Sequence, residues 1–333
     1  MGASVYADES SQREANWGTI IICFIYTVLF CSIPWLKIHE YIYGYAFEDR
    51  DVYISYFKYE ESVLKYADFS GILSYVTNEY AWHYGISYML EIKGVPLEFI
   101  FGVISFGCIF IFSVVLAVNR GAYSLIFLFN PLLVDLAFSQ LRSALAASLL
   151  ALAYLLKSRR VSLLIVCVSP FVHTASLLLV AMYAVAVFCS NQAGKNRDTA
   201  RVQFAILCFA GVLTSLSVGP FREVILSLVG DRRVEYPDMA SSSLYLLYWV
   251  LLLMVAATHL KFVTSRVESA FSIIVLSFVC ANIIFGGYST RILAISLPFV
   301  FTMMLGLPGV TRFSVVSLYL VYASAQWLYW LRV

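Results

Sequence analysis

The sequence predicts an all-α integral membrane protein that crosses the bilayer many times. Of its 333 residues, 61% are hydrophobic and only 13% are charged. A soluble domain has roughly a quarter of its residues charged. The apolar residues also form long runs separated by short polar segments. Runs of about 20 apolar residues are what an α-helix needs to cross the hydrocarbon layer of a bilayer.

Charge and cysteine content exclude several other classes. The formal net charge is +2, and no basic patch with interleaved aromatic residues indicates a nucleic-acid partner. The seven cysteines lie in or at the ends of apolar runs, and none forms a CxxC pair. That placement is typical of small buried side chains and not of disulfides or zinc ligands. No cofactor is predicted.

The beginning of the chain predicts a cytoplasmic tail and a first membrane anchor. Residues 1–16 are polar and lack the basic start and small-residue cleavage site of a signal peptide. The run Trp17–Trp35 follows, and its two terminal Trp residues are typical of interfacial anchors. We expect residues 1–16 to be cytoplasmic and residues 17–333 to form one transmembrane domain.

A long polar segment after this anchor predicts a periplasmic loop over residues 37–95. Its part Lys37–Glu91 is rich in tyrosine and carries four basic and nine acidic residues, so the positive-inside rule places it outside. An insert of this size is more often functional than a passive connector. Within it, Asn78–Leu90 is apolar on one side but too short to span. It predicts an interfacial or re-entrant helix on which Glu79 and His83 share a face.

The rest of the chain predicts about eleven spans in total (10–12), with the N-terminus inside. The clusters Lys157–Arg160 and Lys195–Arg201 indicate cytoplasmic turns. The apolar stretch between them therefore predicts a hairpin of two short helices, broken at Pro170. A second polar loop, residues 219–242, is placed in the periplasm, although it carries three arginines. The other expected spans are Pro96–Val118, Ala122–Phe138, Ser143–Leu156, Val202–Val218, Leu244–Phe262, Phe271–Phe285, Ile292–Leu307 and Phe313–Leu331.

Three polar helix starts interrupt the apolar runs. They are Ser139–Ala147 (SQLRSALAA), Ser169–Ser176 (SPFVHTAS) and Gly286–Leu293 (GGYSTRIL). Each carries one basic side chain: Arg142, His173 or Arg291. Inserting an arginine side chain into hydrocarbon costs about 2.5–3.5 kcal/mol of free energy. This cost is lower if the helix that carries Arg142 begins at the membrane surface, with Ser139 as its cap. The free N–H groups at the start of that helix, the positive end of its dipole and the guanidinium then face the same point. Such an arrangement binds phosphate.

Simpler interpretations of these residues stay open. Arg142 can extend to the lipid headgroups, or it can pair with Asp135 seven residues earlier. Since Pro170 disfavours helix at the preceding residue, a new helix is expected to start at His173 or Thr174. With the predicted topology, all three basic side chains lie at the outer face.

The order of these features resembles that of the Wzy/EpsG-type polysaccharide repeat-unit polymerases. The first loop is acidic and Tyr-rich and contains Asp51–Phe57 (DVYISYF), and a short helix led by Glu79 follows it. Gln140–Ala146 (QLRSALA) is similar to the family's Ile-Arg-Gln-x-(Ile/Leu)-Ala stretch. Val172–Leu177 (VHTASL) is similar to its Phe-His-x-Ser-Ala-Leu. The resemblance covers roughly Asp51–Leu179.

Two positions depart from the family's pattern. Arg142 is followed by Ser143, where the family usually has glutamine, and Glu79 is followed by Tyr80, where the family often has proline. The resemblance implies a GT-C-like multispan glycosyltransferase of the bacterial inner membrane, with its active site facing the periplasm. It would polymerise oligosaccharide units carried as donor and acceptor on undecaprenyl diphosphate into O-antigen or a similar polysaccharide. The implied partners are the bilayer, a chain-length regulator and a repeat-unit flippase.

The chemistry of the residues fits such a transfer. Arg142 and Arg291 would bind the diphosphate leaving group and stabilise its developing charge. The acceptor hydroxyl needs a base, for which Glu79, His173 and His83 are candidates. No DxD-like carboxylate pair is expected beside a phosphate site, so a metal is not required. Candidate acceptor or glycan contacts are Arg222, Arg232, Arg233, Tyr288 and Asp51.

Three other functions are compatible with the same residues. A lipid-linked oligosaccharide transporter or flippase also places charges and broken helices within the membrane, but such proteins usually show an internal repeat, and none is evident here. An O-antigen ligase would use the same phosphate and base chemistry on a different acceptor. A membrane O-acyltransferase would depend on His173 alone.

Overall fold

The computed structural model describes residues 16–59, 69, 71–192, 196–228, 243–287 and 289–332. These residues fold into α-helices joined by short turns, with no β-strand among them. The first six helices are α1 (Trp17–Ser32), α2 (Trp35–Tyr43), α3 (Glu48–Tyr59), α4 (Ile72–Thr77), α5 (Tyr80–Ser87) and α6 (Leu97–Arg120). The next six are α7 (Pro131–Phe138), α8 (Leu141–Leu155), α9 (Arg159–Val172), α10 (Ser176–Asn191), α11 (Arg197–Val218) and α12 (Arg222–Leu228). The last five are α13 (Ser243–Thr258), α14 (Leu260–Thr264), α15 (Val267–Phe285), α16 (Ser289–Gly306) and α17 (Gly309–Trp330).

The all-helical membrane fold agrees with the sequence, but the count of about eleven spans is not confirmed. In the described part of the chain, five helical segments are long and apolar enough to cross a membrane, or six if the bent pair α7–α8 is one span. The helices α9, α10 and α13 have 14, 16 and 16 residues. At 1.5 Å per residue they are about 21–24 Å long, shorter than the ~30 Å of hydrocarbon. The pattern of apolar runs counted them as spans.

The core of the molecule is built on α6, α15 and α16, which are the most buried of the spanning candidates. α11 packs along α15 at very close range, because a Cβ at Gly211 would lie 2.4 Å from the carbonyl oxygen of Ile274. Only glycine allows the two backbones to approach this far.

The helices α6, α8 and α16 run in the same direction. Near their C-terminal ends, Arg120 donates to the carbonyl of Thr302 (2.7 Å), and the Tyr154 hydroxyl contacts Asn119 (3.3 Å). Tyr154 also donates to Glu268 at the start of α15 (2.6 Å). We call this end the basic end, since it also carries Lys157, Arg159, Arg160 and Arg266. The opposite end, where α6, α8 and α16 begin, is called the site end.

The described parts of residues 37–95, which were predicted as a polar loop, are largely helical and pack onto the bundle. The ring of Tyr53 on α3 lies 5.4 Å from that of Trp82 on α5 and 6.4 Å from that of Phe101 on α6. The expected helix over Asn78–Leu90 is present as α5, which continues as a π-helical turn over Tyr88–Ile92. Of the second polar loop, only residues 219–228 are described.

Candidate functional site

The first polar helix start lies at a sharp bend. α7 and α8 meet at an angle of 103°. Arg142 lies in the first turn of α8, as expected, but the prediction that Ser139 caps this helix is wrong. Ser139 ends α7, and the N-cap position of α8 is occupied by Gln140. The Gln140 amide donates to Asp135 (2.5 Å) and thereby holds the corner closed.

Arg142 contacts two residues of the segment 37–95, which precedes it in the sequence. Its Nε donates to the hydroxyl of Tyr53 (3.1 Å), and its Nη1 donates to Oε2 of Glu79. The guanidinium also lies 5.2 Å from the centre of the Tyr53 ring, within cation–π range. The open alternative of an Arg142–Asp135 pair is therefore not found. The charge within the helical body is instead paired with a carboxylate from a segment 63 residues earlier.

Glu79 contacts the basic side chains of two of the polar helix starts, Arg142 and His173. Its side chain is 3% exposed, and its Oε1 lies 2.6 Å from Nδ1 of His173 and accepts from the backbone N–H of Thr174 (3.3 Å). The backbone of Glu79 has φ = 51°, in the left-handed region that non-glycine residues rarely adopt. Strain of this kind persists where the surroundings fix the conformation, and it is concentrated at functional sites.

His173 lies between two short helices that form the expected hairpin, but Pro170 does not break them. Pro170 lies inside α9, and the helix ends at Val172. The carbonyl of Val166, which proline cannot pair with, accepts from Oγ of Ser169 (3.0 Å), so the missing hydrogen bond is replaced. His173 itself has an extended backbone, and neither His173 nor Thr174 starts a helix, because α10 begins at Ser176.

A second arginine pair lies beside the first. Arg291 is in the first turn of α16, as expected, and its Nη2 lies 2.9 Å from Oδ2 of Asp49. Asp49 and Tyr53 are four residues apart on α3, so the same helix face meets both arginines. The charge of Asp49 also acts on Arg142 and on Asp135. The two arginines therefore belong to one charged cluster at the site end, which we call the arginine–carboxylate cluster: Asp49, Tyr53, Glu79, Arg142, His173 and Arg291.

Tyr53 stays a neutral hydrogen-bonding group within this cluster. Burial raises the pKa of Tyr53, and the nearby Arg142 partly opposes this effect. The phenol can therefore accept from Arg142 without adding a charge.

Other predicted site residues lie elsewhere or face away. The ring of His83 is buried against those of Tyr56 (5.1 Å) and Phe57 (6.0 Å), whereas the Glu79 carboxylate contacts Arg142 and His173. Asp51 lies exposed on α3.

Arg222 is buried at the start of α12. Gly219, just before it, packs so tightly on the carbonyl of Phe285 that a Cβ would lie 2.7 Å away, which brings this corner next to the turn that precedes α16. Arg232, Arg233 and Tyr288 lie outside the described residues.

Two members of the cluster were missed by sequence reasoning. Asp49 and Tyr53 lie in the Tyr-rich insert, where the resemblance drew attention to Asp51 instead. Their spacing of four on a helix was the available signal, because it puts a carboxylate and a phenol on one face.

The chain was compared with protein-family models, with curated proteins and with solved structures. None of the three comparisons finds a match, so an assignment of function depends on the residues and contacts described above.

Proposed function

We propose that the protein is a membrane glycosyltransferase that polymerises oligosaccharide units carried on undecaprenyl diphosphate. The observation that carries this proposal is the contact of Glu79 with both Arg142 and His173. These are the three residues around which the sequence resembles the repeat-unit polymerases, and they come from three separate segments. A resemblance by chance would not be expected to bring all three together.

The charge distribution supports a periplasmic site. Lys157, Arg159, Arg160, Arg120 and Arg266 gather at the basic end, and the positive-inside rule assigns such an end to the cytoplasm. The arginine–carboxylate cluster lies at the other end. Lipid-linked repeat units would meet it at the outer surface of the inner membrane.

The arginines have donors suited to a diphosphate. In the described structure, Arg142 uses Nε and Nη1 for Tyr53 and Glu79, so Nη2 is left for a substrate oxygen. Its side chain is 23% exposed, whereas its partner Glu79 is almost fully buried. Arg291 is more exposed than Arg142 and lies within the same charged cluster. Fixed positive charge at the leaving diphosphate is most valuable in the transition state, where the bond to the sugar breaks and negative charge grows.

His173 is the better base, with Glu79 as the residue that positions it. The carboxylate of Glu79 engages Nδ1, so a neutral imidazole donates Nδ1–H to it and has the lone pair on Nε2. The side chain of His173 is 16% exposed, and Glu79 lies behind it. In the transfer, the acceptor oxygen bonds to the anomeric carbon, its proton passes to Nε2, and the bond from that carbon to the diphosphate oxygen breaks. Glu79, held by Arg142, stabilises the imidazolium that forms.

The test is turnover of a defined substrate by the purified protein in liposomes. Undecaprenyl-diphosphate oligosaccharide should be converted into a ladder of longer chains, with free undecaprenyl diphosphate as co-product. Arg142→Ala should abolish the ladder. Transfer only to a lipid A core acceptor would identify a ligase, and movement of the lipid across the bilayer without any new glycosidic bond would identify a transporter.

A further inference from the structure

A cavity extends from the basic end toward the middle of the bundle, and no residue assigned to the proposed transfer lines it. Its volume is about 430 Å³, within the range of about 300–1,000 Å³ that is usual for sites that bind small molecules. It is lined by residues of α8, α9, α10, α15 and α16. Most of its lining is apolar, and small side chains such as Ala147 and Ala151 on α8 leave the space open.

The mouth of the cavity is basic. Lys157 and Arg159 line it at the basic end, and both are exposed. α9 begins at Arg159, and the side chain of Ser158 makes no capping hydrogen bond to it. The first N–H groups of a helix and the positive end of its dipole attract phosphate. Two basic side chains and a helix start therefore favour an anionic group at the mouth.

One polar group inside the cavity lacks a partner. Ser296 lines it and is fully buried, and its hydroxyl has no hydrogen-bond partner among the described residues. Ser296 is one helical turn before Phe299 on α16, and the ring of Phe299 lies 5.2 Å from that of Tyr154 on α8. Lys157 follows Tyr154 by three residues. The Ser296 hydroxyl therefore lies deeper in the cavity than Lys157. A buried hydroxyl without a partner costs free energy, which an acceptor on a bound molecule would recover.

We infer that this cavity binds one acyl chain of an anionic glycerophospholipid from the leaflet at the basic end. The phosphate lies at Lys157, Arg159 and the start of α9. The ester carbonyl below it accepts from Ser296, and the hydrocarbon chain fills the apolar part beside Ala147 and Ala151. This order of anion, ester and hydrocarbon matches the order of basic, hydroxyl and apolar groups along the cavity.

The binding is tested with the delipidated protein in a non-ionic detergent. Phosphatidylglycerol is titrated, and the thermal unfolding temperature is followed, with phosphatidylcholine of the same chain composition as the reference. Because a ligand that binds only the folded state raises the unfolding temperature, we expect a saturable rise with phosphatidylglycerol and a much smaller one with phosphatidylcholine. An equal response to both lipids would overturn the inference.

Two kinds of variant locate the lipid. Arg159→Ser should weaken the apparent affinity for phosphatidylglycerol about tenfold, because a charge-assisted contact is lost. Arg160→Ser is the matched control, since Arg160 is also exposed but does not line the cavity, and it should respond as the wild type does. Ala151→Phe fills the apolar part and should abolish the response. If that variant does not fold, Ser296→Ala replaces it and should weaken the affinity. Wild-type affinity in either the Arg159 variant or the cavity variant would refute the proposed placement.

Discussion

The starts of α8 and α16 each place an arginine against a carboxylate, but in different surroundings. Arg142 meets a glutamate that is 3% exposed, while the side chains of Arg291 and Asp49 are 32% and 29% exposed. An ion pair away from water is costly to break, because removing one partner leaves a buried charge. A pair nearer water is screened and contributes little to stability. Under the proposed function, Arg142 would therefore hold Glu79 in place, whereas Arg291 would exchange the carboxylate of Asp49 for a substrate phosphate.

The largest effect is expected from Arg142. Arg142→Ala leaves Glu79 buried without its cation, so the free energy of unfolding should fall by about 3–5 kcal/mol and polymerisation should be lost. Arg142→Lys keeps the charge but not the planar donors, and it should retain little activity. Thermal unfolding and the ladder assay measure both effects. Arg201→Ala, which breaks an exposed pair with Asp198, is the control and should change neither.

The pair of Glu79 and His173 should give the next largest effect. Loss of a general base lowers turnover about 10²–10⁴-fold, so His173→Gln should reduce kcat by this amount and leave KM nearly unchanged. Glu79→Gln should reduce kcat in the same way, because the amide no longer stabilises the imidazolium. If His173→Gln turned over normally while Glu79→Gln did not, the two roles would be reversed.

His83→Gln is the matched control for these two variants. The ring of His83 packs on aromatic side chains of α3. This change should therefore lower the unfolding temperature and leave kcat nearly unchanged.

The positions of the basic residues could be predicted from the sequence, but their partners could not. Polar interruptions of apolar runs indicate where helices start, and Arg142 and Arg291 both lie in first turns as expected. The left-handed conformation of Glu79 is set by packing around it, and no local pattern indicates it. The Glu79 carboxylate contacts Arg142 and His173, which are 63 and 94 residues away in the sequence.

The predicted count of about eleven spans is not confirmed, for a related reason. Apolar runs report which residues avoid water, but they do not report whether a helix is long enough to cross alone. α9 and α10 are short helices, and the turn between them contains His173, the proposed base. Proline was expected to break the helix at Pro170, because it lacks a backbone N–H. The hydroxyl of Ser169 donates to the carbonyl of Val166 instead, and the general preference of proline does not predict this replacement.

Arg291 and Asp49 should give a smaller effect, of opposite sign in the two partners. Arg291→Ala should raise the KM for the lipid-diphosphate donor about tenfold, since one charged contact to phosphate is lost, and stability should change by less than about 1 kcal/mol. Asp49→Asn should lower the same KM, because Arg291 loses its competing carboxylate. Glu48→Gln, next to Asp49 on the same helix and exposed, is the control and should leave KM unchanged. A large loss of stability in Arg291→Ala would remove the distinction between the two arginine pairs.

The smallest effect concerns Tyr53, and its dependence on pH appears only in the alkaline range. Burial raises the pKa of Tyr53 in the folded state, while a tyrosine in the unfolded chain titrates near pH 10. The stabilising contribution of the neutral phenol is thus fully present below about pH 10 and declines as pH rises through the higher folded-state pKa. Tyr53→Phe should be less stable than the wild type at neutral pH, because Nε of Arg142 loses its acceptor.

Above about pH 10 the wild type loses stability through Tyr53 and the variant does not, so the gap between their unfolding temperatures should narrow. Tyr41→Phe, at a position that is 92% exposed, is the control and should follow the wild type at every pH. A gap between Tyr53→Phe and the wild type that stays constant up to pH 11 would contradict a neutral, buried phenol beside Arg142.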